Sequence, residues 1–146
     1  MVFKMKVFNN KDQVINYLNS KWKFLDDHDN AIIDEWINND YNVLLISDNE
    51  SHAYLKQYIL DNDMLCYFNT SFIVSNLKPE FITLPNKVID ILKEEYDHES
   101  LKALVNLDDL VHDALRYDGL PHFINSYDSK SVDLYFDDDV HCLIAY

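Results

Sequence analysis

The chain has 146 residues, 48% of them hydrophobic and 14% aromatic, enough apolar material for one core and too little length for two full domains. Acidic residues outnumber basic ones 26 to 12, and the resulting net charge of −14 repels a phosphate backbone, which argues against direct nucleic-acid binding. The single glycine, Gly119, excludes nucleotide-binding loops, nucleophile elbows and EF-hand loops, all of which need glycines where the backbone takes positive φ or meets a ligand closely.

Met1 to Phe8 alternates Val2, Phe3, Met5, Val7 and Phe8 with two lysines, the pattern of a strand at a sheet edge. Asn10 with Gln13 predicts the start of a helix carried by Val14, Ile15, Leu18, Trp22 and Leu25. The polar stretch Asp26 to Asn30 is expected to end it, and Ile32, Ile33, Trp36 and Ile37 make a second apolar stripe before a turn at Asn39-Asp40. Tyr41 to Ile46 reads as a buried strand. Ser47 and Glu50 form a capping-box pair, and Tyr54, Leu55, Tyr58 and Ile59 give the helix that follows its inward face. Met64 to Phe68 repeats the buried-strand pattern.

Pro79 marks a loop, and Pro85 occupies the first-turn position of a helix carried by Val88, Ile89, Ile91, Leu92 and Tyr96. Asp97 to Ser100 breaks that helix. Leu101, Leu104, Val105, Val111 and Leu115 then make one further stripe, closed by Gly119 as a left-handed cap. Ser131 to Phe136 and Val140 to Tyr146 alternate around Asp137-Asp138-Asp139, which predicts a terminal β-hairpin. The expected fold class is α+β, a helix-rich single domain over residues 1–146 with a small sheet and a C-terminal hairpin; two lobes, about 1–76 and 77–146, would be compatible with it. The expected core includes Trp22, Trp36, Val43, Leu44, Ile46, Leu55, Leu65, Ile91, Leu104 and Val111.

Cys66 and Cys142 lie inside apolar runs without a C-x-x-C partner, so both are expected to be reduced core residues and not a disulfide or a nucleophile. The N-terminus lacks a long apolar leader segment and no run has the length of a membrane span, which predicts a cytoplasmic protein with no membrane contact. Abundant Asn, Asp, Lys, Ile and Tyr beside a single arginine, Arg116, suit AT-rich codons, as in a low-GC bacterium or its phages and plasmids.

Asp108 and His112 stand at i and i+4 on one helix with His122 nearby in sequence, the best candidate metal set. The same spacing is the ordinary pair of a solvated helix face, and no second cluster with ligand spacing supports it, so no metal, cofactor or catalytic residue is expected. The larger departure from ordinary composition is the last third. Leu104 to Tyr146 carries nine carboxylates, Asp108, Asp109, Asp113, Asp118, Asp128, Asp133, Asp137, Asp138 and Asp139, against Arg116 and Lys130, a local charge of −7. Carboxylates one helical turn apart stand about 5–6 Å from each other at Cβ, comparable with phosphate spacing along a strand, so such residues can enter a protein groove built for DNA or RNA. A solvated acidic surface that maintains solubility has the same composition.

The segment Asp118-Gly119-Leu120-Pro121-His122-Phe123-Ile124-Asn125-Ser126-Tyr127-Asp128 resembles a D-G-x-x-H-F-x-x-x-Y-D motif near the C-terminus of small phage and plasmid proteins, although Pro121 and Ser129 stand where that pattern usually has glycines. Leu107 to Asp139 is also faintly similar to the phage DNA-mimic anti-restriction proteins. Neither likeness implies a catalytic residue. The second likeness, together with the acidic last third, implies an acidic inhibitor, encoded by a mobile element, whose partner is a basic, nucleic-acid-binding host defence protein held through the nine carboxylates; the first implies only a phage or plasmid origin. The alternative is an interaction or immunity-type protein that binds a basic partner without imitating DNA. Gly119, Pro121, His122 and Tyr127 can equally build a turn whose polar atoms satisfy backbone groups.

Overall fold

The computed structural model describes residues 6–8, 13, 16–17, 27–39, 41–124, 131–136 and 139–146. It is α+β, with helices in the majority and a four-stranded antiparallel sheet that ends in a C-terminal strand pair. The chain forms two compact units: Met1–Ser51 together with Asp118–Tyr146, and His52–Tyr117.

The first unit holds the sheet, in the order β1 (Lys6–Phe8), β2 (Val43–Ser47), β4 (Asp139–Ala145), β3 (Ser131–Phe136). The N-terminal strand does lie at an edge. Every residue of β2 is buried, as a near-continuous apolar run in a central strand requires. Its register against β4 pairs Val43 with Ala145 and Leu45 with Leu143 on one face, and Leu44 with Ile144 and Ile46 with Cys142 on the other. The first face meets Phe8, Leu134 and the helix α1 (Asp27–Asn38), which contributes Ile33 and Trp36 to the same cluster. That helix starts inside the polar stretch expected to separate two helices. It stops where the Asn39 side chain and backbone N–H both donate to the Glu35 carbonyl, at 2.7 and 3.1 Å. Gln13, Asn16 and Tyr17 are helical; Trp22 and the other apolar residues expected on the first helix lie outside the described side chains. The hairpin forms as predicted, with Phe136 opposite Asp139. Asp137 and Asp138 lie outside the described residues.

Helix α2 (Asp48–Asp61) begins at the predicted cap, where the Ser47 backbone N–H and hydroxyl donate to Glu50 Oε1 at 3.4 and 3.0 Å. Acidic residues in its first turn face the positive end of the helix dipole. The boundary between the two units falls within this helix.

The His52–Tyr117 unit is helical. After α2 come a 3-10 turn (Met64–Tyr67), α3 (Thr70–Val74), a second 3-10 turn (Pro79–Phe81), α4 (Asn86–Glu94), α5 (His98–Leu104) and α6 (Leu107–Tyr117). Its core is built from Leu55, Ile59, Leu65, Ile73, Ile89, Leu101, Leu110 and Val111. Three expectations are corrected here. Met64–Tyr67 is a 3-10 turn and not a strand: only Leu65 and Cys66 are buried, and a short apolar run has no periodicity that separates the two. Pro85 caps α4 from outside its first turn. The stripe from Leu101 to Leu115 is two helices, because Val105 leaves the helix to bridge Leu77 while the Asn106 N–H donates to the Asn76 carbonyl at 2.7 Å. Two expected core residues also lie farther out than the pattern predicts. Ile91 stands two positions beyond buried Ile89, hence across the helix, and is 43% exposed; Leu104, the last residue of α5, is half-buried.

Gly119 follows α6 with φ +76°, the left-handed value its sequence position predicts. The chain then enters α7 (Leu120–Ile124), which buries Leu120, Phe123 and Ile124 in the sheet-bearing unit.

Candidate functional site

The carboxylates singled out in the sequence fall in both units. Asp108, Asp109 and Asp113 stand on α6, whose inward face is Leu110, Val111 and Ala114. The spacing of that apolar face leaves Asp108 and Asp109 exposed and Asp113 half-exposed. Asp109 and Asp113 lie one turn apart, and among the described residues neither has a cation within ion-pair distance. Asp118 and Asp133 are exposed in the other unit, and Asp139 opens β4. Asp128, Asp137 and Asp138 lie outside the described residues, as do Asn125 to Tyr127 of the motif.

Asp108 is engaged differently from its neighbours. Lys56 on α2 donates to Asp108 Oδ1 across 2.8 Å, and His52 Nε2 lies 3.4 Å from the same oxygen. These donors, Lys56 foremost, hold the Asp108 carboxyl below the usual carboxylate range. Sequence spacing suggested His112 as its companion, yet His112 is exposed on the helix surface and the groups on Asp108 come from a segment more than fifty residues earlier. Long side chains meeting across two helices leave no local signal in a single sequence.

Among the described residues, no group of three or more His, Cys, Asp or Glu side chains is arranged to hold a metal ion. His122 is half-buried and meets Phe123 edge-on at 5.0 Å, and it belongs to a short helix instead of the turn expected around Pro121.

Both cysteines are free and buried. Burial, then the carboxylates of Asp63 and Asp97, raises the Cys66 thiol against the opposing effect of Lys93. Cys142 faces Asp133 across the β3–β4 register, and burial with that negative neighbour pushes its thiol up to about 12. Neither sulfur is a ready nucleophile at neutral pH.

Comparison with protein-family models, with curated proteins and with solved structures finds no match to the chain. No described helix is long and apolar enough to cross a membrane.

Composition did not single out the aromatic surface of the helical unit. Tyr67, Tyr96 and Tyr117 are all largely exposed there. The sequence pattern puts Tyr96 on the apolar face of α4, whereas α4 stops at Glu94 and Tyr96 takes a left-handed backbone with φ 52°.

Proposed function

We propose that this protein is an acidic inhibitor, encoded by a phage or plasmid, that occupies a basic nucleic-acid-binding surface of a host defence enzyme by charge mimicry. The observation that carries the reading is the pair Asp109 and Asp113, one turn apart on α6 and free of cations among the described residues, in a chain of net charge −14. Carboxylates held on a rigid helix need no ordering when they meet a groove, and their summed field steers a basic partner toward them from a distance. Asp108 adds less, because Lys56 already neutralises it.

Affinity capture from the parent host, repeated with excess duplex DNA, tests this function. The reading expects a captured protein that itself binds nucleic acid and is released by the duplex. A basic partner with no nucleic-acid affinity, or one retained under saturating DNA, contradicts mimicry and supports the alternative of a non-mimic interaction or immunity-type protein. The exposed tyrosines of the helical unit favour that second reading, since aromatic anchors are typical of ordinary protein interfaces.

A further inference from the structure

Asp118-Gly119, which opens the D-G-x-x-H-F segment, enters the binding reading only through one charge. Helix α6 ends at Tyr117 and α7 starts at Leu120, so these two residues alone join the helices. Asp118 is exposed in the turn, and among the described residues its carboxylate has no hydrogen bond or ion pair. Gly119 takes φ +76°, and a Cβ built on it would meet only Pro121 Cδ, at 3.7 Å, so the space beside it is open. Because Gly119 is the only glycine, every other Asp and Asn of the chain is followed by a residue whose side chain crowds the next amide nitrogen. Asp97 shows the contrast. Both of its carboxylate oxygens are held by Ser100, and the residue that follows it is the buried His98.

We infer that Asp118-Gly119 is a site of spontaneous backbone modification, at which aspartate becomes isoaspartate through a cyclic imide. The Gly119 amide nitrogen attacks the side-chain carboxyl carbon of Asp118 in its acid form. A C–N bond forms, the C–OH bond breaks, and the hydroxyl leaves with the amide proton as water. Solvent water then adds to one of the two imide carbonyls. Opening at the side-chain carbonyl restores aspartate, and opening at the main-chain carbonyl routes the backbone through the side-chain methylene. Neither step changes an oxidation state, and water is the only co-reactant. An unshielded nitrogen and an untethered carboxyl are what the attack requires, and Asp118-Gly119 supplies both.

The consequences fall on charge and on backbone path. The imide lacks the negative charge of Asp118. Isoaspartate restores that charge but inserts one methylene into the main chain ahead of Gly119, so the left-handed turn that follows α6 cannot keep its present path. The product also presents a free α-carboxylate, the group that a protein-isoaspartate methyltransferase esterifies. This chemistry is independent of what the carboxylates of the chain bind.

The full chain, aged in neutral and in mildly acidic buffer and then digested, tests the site by peptide mass spectrometry with fragmentation that separates aspartate from isoaspartate. The expected results are a species lighter by one water at Asp118 in mild acid, and isoaspartate at Asp118 at neutral pH about tenfold above any other Asp or Asn. The aged chain should also accept methyl groups from S-adenosylmethionine in the presence of a protein-isoaspartate methyltransferase. Asp118→Glu keeps the charge and the glycine cap but has to close a larger ring. It should lose all three signals with the unfolding midpoint unchanged. A folded chain that stays aspartate at position 118 while the same chain in denaturant isomerises there would overturn the inference. Isoaspartate spread evenly over the other Asp and Asn residues, or methyl acceptance undiminished in Asp118→Glu, would overturn it as well.

Discussion

Lys56 on α2 reaches Asp108 on α6 with its ammonium 2.8 Å from Oδ1, and this contact places a carboxylate with candidate metal spacing into an ion pair. The folded Asp108 carboxyl titrates below its ordinary value, so the pair stabilises the fold above the unfolded Asp value of about 3.9 and loses its effect as pH falls through the lower folded value. Lys56→Met should move the Asp108 titration, followed by carboxyl-carbon NMR, back toward the ordinary range. Its thermal midpoint should fall below that of the parent chain at neutral pH, with the gap closing in strong acid and narrowing in high salt.

Asp97 provides a second acid-sensitive contact. As the cap of α5, it accepts from the Ser100 hydroxyl at 2.7 Å and the Ser100 N–H at 3.1 Å, and these bonds depress its titration. Asp97→Ala should lower the unfolding midpoint above about pH 4, and the difference should shrink as pH falls through the depressed folded value. A deficit that persisted undiminished in acid would show that packing, and not the charged cap, is what the aspartate supplies.

Core substitutions separate the well-read positions from the misread one. Leu44→Ala and Ile89→Ala remove fully buried side chains and should each cost about 2–5 kcal/mol in denaturant unfolding. Ile91→Ala should cost far less, because Ile91 is partly in water already. The contrast shows how legible the fold was. Strand β2, the Ser47–Glu50 cap, the hairpin and the Gly119 cap were all readable, since each rests on neighbours in sequence. The Met64–Tyr67 turn, the break at Val105 and the exposure of Ile91 were not, because each depends on a partner brought in by tertiary contact, such as Leu77 for Val105. That His52–Tyr117 is inserted between β2 and β3 left no linker or composition shift to find. The carboxylates of the candidate site were visible as residue types, whereas Lys56 on Asp108 and buried His98 beside Asp63, 3.8 Å away, were invisible for the same tertiary reason.

Gly119→Ala should destabilise through backbone conformation alone. A Cβ there would meet Pro121 Cδ at an ordinary 3.7 Å, but φ +76° carries a left-handed penalty of about 1–2 kcal/mol for an L side chain. Gly119→Asn should recover part of that loss in the same unfolding assay, and equal midpoints for alanine and asparagine would show that the cap conformation is not what matters.

The central claim is that binding depends on the summed carboxylates and not on any one of them. It is tested most directly by association kinetics with the captured partner, measured from low to physiological ionic strength. Exposed pairs contribute about 0.2–1 kcal/mol each, so Asp109→Asn alone should be nearly silent. Changing Asp109, Asp113, Asp137, Asp138 and Asp139 together to asparagine should preserve the unfolding midpoint, slow association about tenfold or more at low salt, and flatten the salt dependence. Association by the fivefold variant at the parental rate with the parental salt slope would contradict the account, as would loss of function from a single change at Asp108 or His112 while the fivefold variant stayed active.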